Sequence, residues 1–201
     1  KDCGGVAPHT LKAAAVAGVY ECADCGKIFR NGIDAKATID NVDVENDDPM
    51  GAAIVANGIE LTINGGSFED GSSNAVWATN GATVIINGGH FTAGEGCATI
   101  YVDKASKVII NGGEFSAEGP YEGVFFVLNM KDNSGSTIEV KGGIFYDFDP
   151  ANNKTDPNGY SSIFVAEGYK SVGRNPQYDG EELLGYEYYE VVEDIPEEDA
   201  E

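Results

Sequence analysis

Apolar and polar residues alternate along this chain in short bursts, and the bursts recur. Leu61-Thr62-Ile63, Val84-Ile85-Ile86, Val108-Ile109-Ile110 and Ile138-Glu139-Val140 put an aliphatic side chain at every second position, the period of a strand with one buried face. Three of these runs lead straight into one word: Ile63-Asn64-Gly65-Gly66-Ser67-Phe68, Ile86-Asn87-Gly88-Gly89-His90-Phe91 and Ile110-Asn111-Gly112-Gly113-Glu114-Phe115. A second apolar burst precedes each (Ala53-Ile54-Val55, Val76-Trp77-Ala78, Ile100-Tyr101-Val102), and a third short strand is centred on Phe68, Phe91, Phe115 and Phe145. No helical period intervenes.

Asn64 to Asn87 is 87 − 64 = 23 residues, and Asn87 to Asn111 is 111 − 87 = 24. Weaker copies flank these: Asp40 stands 64 − 40 = 24 residues before Asn64, and Lys141 stands 141 − 111 = 30 after Asn111. A period of this length signals stacked units, none of which buries its apolar face alone. Three strands per period make the expected fold all-β, a single-stranded right-handed parallel β-helix of about five coils with N- and C-terminal caps. Equivalent residues then lie ~4.8 Å apart, so Asn64, Asn87 and Asn111 form an amide ladder, and Phe68, Phe91, Phe115 and Phe145 an aromatic stack. Leu61, Val84, Val108 and Ile138, with Ile63, Ile86, Ile110 and Val140, point inward. The glycines supply the positive φ of a sharp corner, and the repeated word is scaffold.

These INGG-x-F coils resemble the right-handed parallel β-helix repeats of bacteriophage structural proteins and bacterial surface proteins. The segments Phe145-Tyr-Asp-Phe-Asp149-Pro150 and Phe164-Val165-Ala166-Glu167-Gly168-Tyr169-Lys170, ending in Tyr186-Glu-Tyr-Tyr-Glu-Val-Val192, look like the closing module of such proteins. The likeness covers about residues 30 to 192. It implies a non-enzymatic structural or interaction module, a virion component of head-decoration or fibre type, with a bacterial cell-surface or secreted adhesion-type β-helix as the alternative. The implied location is a virion surface or the extracellular or cell surface. The stretch Gly173 to Gly185 departs from the pattern, as a loop longer than the expected tight hairpin, and the Cys-bearing start has no counterpart.

The organisation expected is an N-terminal cap at 1–26, with Leu11–Ala17 as a short helix or strand, β-helix coils at 27–148, a C-terminal capping segment at 149–192 and an acidic tail or linker at 193–201. Because residue 1 is Lys, a processed or partial product is expected. Charge narrows the partners: 12 Lys+Arg against 34 Asp+Glu give a net charge of −22, which repels nucleic-acid phosphates and anionic lipid. No apolar run approaches the ~20 residues of a membrane span. Neither nucleic-acid binding nor membrane insertion is expected.

Chemistry has few candidates. A polysaccharide lyase or hydrolase, the enzymatic alternative for this architecture, needs clustered carboxylates with a basic residue. The chain has two arginines, Arg30 and Arg174, and two histidines, and His90 occupies the variable place of the repeated word beside Ser67 and Glu114. Glu69, Asp70, Glu95 and Glu118 could form an acidic edge, read more plainly as a solvated face. Cys22-Ala-Asp-Cys25 with Cys3 and His9 could make a zinc set, but a disulfide from Cys3 to Cys22 or Cys25, or free thiols, explains the same residues. Cys97 reads as a small buried group, and Asp40–Asp48 offers oxygens to calcium without a Gly-rich nonapeptide. No enzyme activity and no cofactor other than zinc is expected.

The second strand of each coil is apolar on both faces, and only one face can point inward. With Ala53, Val76 and Ile100 inside, Ile54, Trp77 and Tyr101 form an outward stripe, the kind of surface that marks a protein contact. Its cover is either a partner, giving a homo-oligomer or docking on a larger assembly, or the chain's own Tyr186, Tyr188 and Tyr189 folded back.

Overall fold

The computed structural model describes residues 36–47, 51–131, 133–153 and 162–195, together with the backbone of three short N-terminal strands. Those strands are β1 (His9–Ala13), β2 (Val19–Cys22) and β3 (Ile28–Arg30). Four complete three-strand turns follow: β4 (Lys36–Ile39), β5 (Val42–Asn46) and β6 (Ala52–Asn57); β7 (Glu60–Ile63), β8 (Gly66–Asp70) and β9 (Asn74–Thr79); β10 (Thr83–Ile86), β11 (His90–Ala93) and β12 (Ile100–Val102); β13 (Lys107–Ile110), β14 (Glu114–Ala117) and β15 (Leu128–Met130). A partial turn, β16 (Thr137–Val140) and β17 (Gly143–Tyr146), then leads into a hairpin of β18 (Tyr169–Asp179) and β19 (Glu182–Glu193). Among the described residues there is no helix, and the fold is an all-β parallel β-solenoid.

Each turn contributes one strand to each of three sheets, and corresponding strands pair in parallel. The first wall stacks Leu61, Val84, Val108 and Ile138 in one register row and Ile63, Ile86, Ile110 and Val140 in another, all buried. On the second wall, Phe68, Phe91, Phe115 and Phe145 stack face to face with centroids 5.1, 5.0 and 4.9 Å apart. Each ring is at most 1 % exposed, and burial of such a side chain stabilises the fold by about 1.5–3 kcal/mol. The third wall supplies Ile54, Val76, Ile100 and Leu128.

The corner between the first and second walls explains the repeated word. Asn87 Nδ2 donates to Asn64 Oδ1 (2.8 Å), Asn111 Nδ2 to Asn87 Oδ1 (2.9 Å), and Asn64 Nδ2 to Asp40 Oδ1 (2.7 Å), so Asp40 takes the rung below the amides. The second glycine of each word turns at a φ that L side chains avoid, +113° at Gly113. A Cβ there would also lie 3.1 Å from the Gly89 carbonyl and 3.2 Å from the Phe115 ring. Turn and stack therefore both demand glycine.

Among the described residues the coils number four complete turns and a two-strand remainder, where about five were expected. After β17 the chain enters an Asp149–Pro150 turn, where Ala151 N–H donates to Asp149 Oδ1 (2.9 Å). It returns to the first wall only at Val165, which bridges Val140 in parallel. The 30-residue step from Asn111 to Lys141 has a structural cause as well. Ten residues, 118–127, join β14 to β15, where six, 94–99, join β11 to β12, and six, 131–136, join β15 to β16, where four, 103–106, join β12 to β13.

The stretch Gly173 to Gly185, expected to be a loop, is mostly strand. β18 and β19 pair antiparallel across a two-residue Gly180-Glu181 turn, with an irregularity at Gln177/Tyr178. Pro176, the residue that speaks against a strand, sits on β18 at the edge of its sheet, where a missing N–H is tolerated. β19 also pairs antiparallel with β17, Tyr189 opposite Phe145, and ends the parallel stacking of the second wall. At the other end β1 pairs in parallel with β4, His9 opposite Ala37, and β2 and β3 follow antiparallel.

Candidate functional site: the outer face of the third sheet

Strand register fixes which side chains share this face. β6, β9, β12 and β15 align Val55 with Trp77, Trp77 with Tyr101, and Tyr101 with Asn129. All four are half-buried. Ile54 is not part of the stripe. It pairs with Val76, which in turn pairs with Ile100, and it is 1 % exposed in the core, so Val55 holds the outward place. The expected alignment was one residue out in the first coil because Ala53, Ile54 and Val55 are all apolar and carry no sign of their face. Trp77 and Tyr101 stand as expected, facing outward at one level.

The two rings lie with centroids 6.4 Å apart at an interplanar angle of 53°, within the range of favourable aromatic pairs. Trp77 Nε1 donates to Asp103 Oδ1 (3.2 Å), and Asp103 is only 5 % exposed. A carboxylate taken largely out of water needs such a donor, and the bond holds the indole in one orientation. Burial, and then the Asp103 charge, push the Tyr101 phenol above its usual value. The composition of β12 gave no hint of Asp103, which lies just beyond it. The one usable signal was an acidic residue directly following an apolar strand.

Cover for the stripe does not come from the C-terminal tyrosines. Tyr188 packs on Tyr146 of the second wall (5.9 Å) and Tyr186 on Tyr189 (5.6 Å), because β19 is committed to β17. The partial cover of Tyr101 is a small apolar cluster of Ala98, Val124 and Phe126, two of them from the longer connection at 118–127. Trp77 and Val55 lie beyond it.

The remaining sequence candidates are scattered. His90 Nε2 lies 3.4 Å from Glu114 Oε1, both side chains well exposed. Asp70 is fully buried, accepting from Asn46 Nδ2 (2.6 Å) and Ser72 N–H (3.0 Å), whereas Glu69, Glu95 and Glu118 are exposed, so the four make no common edge. Cys97 is half-buried, its Sγ 3.7 Å from the Ser72 carbonyl, and its thiol is pushed up by burial and then by Asp70. Asp40 and Asp43 serve neighbouring turns, Asp43 Oδ1 accepting the Ser67 N–H (3.1 Å), and Asp48 lies outside the described residues. So do Cys3, Cys25 and the side chains of His9 and Cys22, the zinc candidates. Among the described residues no three His, Cys, Asp or Glu side chains converge, and no helix is long and apolar enough to cross a membrane.

In comparisons with known proteins, the chain matches no family model, no curated protein and no solved structure.

Proposed function

We propose that this chain is a non-enzymatic structural module that docks onto protein through the face carrying Val55, Trp77 and Tyr101. A second copy or a subunit of a larger assembly covers that face, at a virion or cell surface. One observation carries the proposal: Trp77 is pinned by Asp103 yet only half-buried within its own chain. An oriented indole with free area suits the centre of a contact, because its ordering cost is already met within the fold. The resemblance of the INGG-x-F coils supports the virion setting, with the cell-surface setting as its alternative. At −22 net charge two copies repel at low ionic strength, so self-association through this face strengthens as salt screens them.

Sedimentation velocity of wild type and Trp77→Ala at low and high salt tests the proposal, with circular dichroism to follow the fold. Loss of assembly with the fold intact is the expected result. A wild type that stays monomeric at every salt concentration, together with loss of the fold in Trp77→Ala, overturns it. A panel of polysaccharides tests the carbohydrate-active alternative, and any cleavage product would displace the structural role.

A further inference from the structure

Only the stem of the closing hairpin rests on the solenoid. β19 pairs with β17 through Tyr188 to Val191 alone, and outward from the row of Arg174 and Tyr188 the two hairpin strands pair only with each other among the described residues. Ten consecutive residues at the tip, 175–184, are exposed. Successive strand residues face opposite ways, so both faces of the ribbon are bare. The Gly180-Glu181 turn stands six residues beyond Arg174, an arm of about 20 Å at ~3.3 Å per residue.

A two-stranded ribbon with neither a third strand nor a packed face is marginal in water, and this one is apolar at its end. Tyr178, Leu183 and Leu184, at 60, 45 and 67 %, are three of the six large apolar side chains left exposed among the described residues. Tyr178 and Leu183 are cross-strand partners, and Leu184 is the extra residue where the register shifts between Gln177–Gly185 and Tyr178–Leu183. The bulge thus presents a third apolar group at the same tip. Three exposed carboxylates, Asp179, Glu181 and Glu182, surround the turn.

An acidic tip on a chain of net charge −22 has few places to land on a second copy. Four of the seven described basic side chains are held in ion pairs. Of the other three, Lys141 is half-buried at the corner between the first and second walls, while Lys104 and Lys131 are exposed and in no ion pair with a described residue. Lys131 directly follows β15, its N–H donating to Val102 O (2.9 Å), and the Lys104 carbonyl accepts the Gly81 N–H (2.9 Å). Both therefore stand in the turns that leave the wall bearing Trp77 and Tyr101. We propose that the hairpin tip of a second copy covers the Trp77 face, an assignment that rests on that face being a docking surface. Tyr178, Leu183 and Leu184 pack on Val55, Trp77 and Tyr101, and the carboxylates of the turn meet Lys104 and Lys131. The apolar contact supplies the affinity and the charges set the orientation. Because tip and face are different patches, the contact is heterologous, and each copy offers one of each.

Mixing two defective variants tests this arrangement. The full chain is examined by sedimentation velocity as wild type, as Trp77→Ala, as the double variant Leu183→Ser/Leu184→Ser, and as an equimolar mixture of the two variants, with circular dichroism to follow the fold. Wild type is expected to assemble and each variant alone to sediment as a monomer. The mixture is expected to regain a complex, since the Trp77→Ala copy keeps its tip and the double variant keeps its face. Assembly of the double variant as in wild type, with Trp77→Ala monomeric, leaves the docking face standing and overturns the tip as its occupant. Two monomeric variants that form no complex when mixed overturn it as well, because the contact would then use the same patch on both copies. Assembly that survives Trp77→Ala, or a wild type that never assembles, removes self-docking through the face itself. If Trp77→Ala does not fold, Lys104→Glu/Lys131→Glu, at two exposed positions, serves as the face variant in the same mixture.

Discussion

Phe91→Ala and Asn87→Ala, four residues apart in the same turn, set the core of the solenoid against its corner. Phe91 is sandwiched between Phe68 and Phe115 at 5.1 and 5.0 Å and is 1 % exposed. Truncation removes both stacked contacts and leaves a cavity between rings held by β8 and β14, whose backbones cannot close in without breaking the parallel ladder. Phe→Ala in such a site costs about 3–5 kcal/mol. Asn87 makes two amide hydrogen bonds, at 2.8 and 2.9 Å, but it is exposed. Water can therefore serve Asn64 and Asn111 once it is gone, and the loss falls to about 1 kcal/mol, the net worth of a solvated hydrogen bond. For a chain of this size 1 kcal/mol moves the melting temperature by about 2–4 °C, so the expected drops are roughly 6–20 °C for Phe91→Ala and 2–4 °C for Asn87→Ala. Reversible thermal melts by circular dichroism measure both. An Asn87→Ala drop as large as that of Phe91→Ala would refute the reasoning, since the corner ladder and not the aromatic stack would then hold the turns together.

Two further outcomes are expected. Lys104 and Ala105 both turn at positive φ (50° and 59°), one turn above Asn80 and Gly81, which suit that conformation. Ala105→Gly should therefore raise stability by about 0.5–1 kcal/mol, the left-handed strain of ~1–2 kcal/mol less the entropy of glycine, and an unchanged or lower urea midpoint would contradict it. The Tyr101 and Tyr146 phenols both lie above their usual value, mainly through burial. The unfolded chain then releases those protons first as pH rises, so stability present below about pH 10 is lost as pH climbs through the raised values. Melting temperatures taken from pH 8 to 11 should fall, and fall less in Tyr101→Phe.

The parallel solenoid was legible because its signal is redundant. Asn64, Asn87 and Asn111 mark the same corner at 23- and 24-residue steps, and any one of them would have set the phase. The face of Ile54 was not legible, since three consecutive apolar residues carry no alternation, and only pairing with Val76 decides it. Nor was the hairpin. Pro176 and the glycines at 173, 180 and 185 read as a loop, while the pairing of β19 with β17 overrides that local preference. Asp103 was invisible for another reason: what distinguishes it is burial beside a particular partner, Trp77. Residue type alone does not encode that.

The antiparallel seat of β19 on β17 governs how such a rod can change length. A parallel coil cannot be appended beyond it on that wall, so growth has to be intercalary, by copying a module of 23 or 24 residues between existing turns. Each inserted copy would lengthen the rod by about 4.8 Å and leave both terminal arrangements as they are. The gene for such a chain is in effect a ruler, graduated in turns, and the length of the stack is set by counting copies.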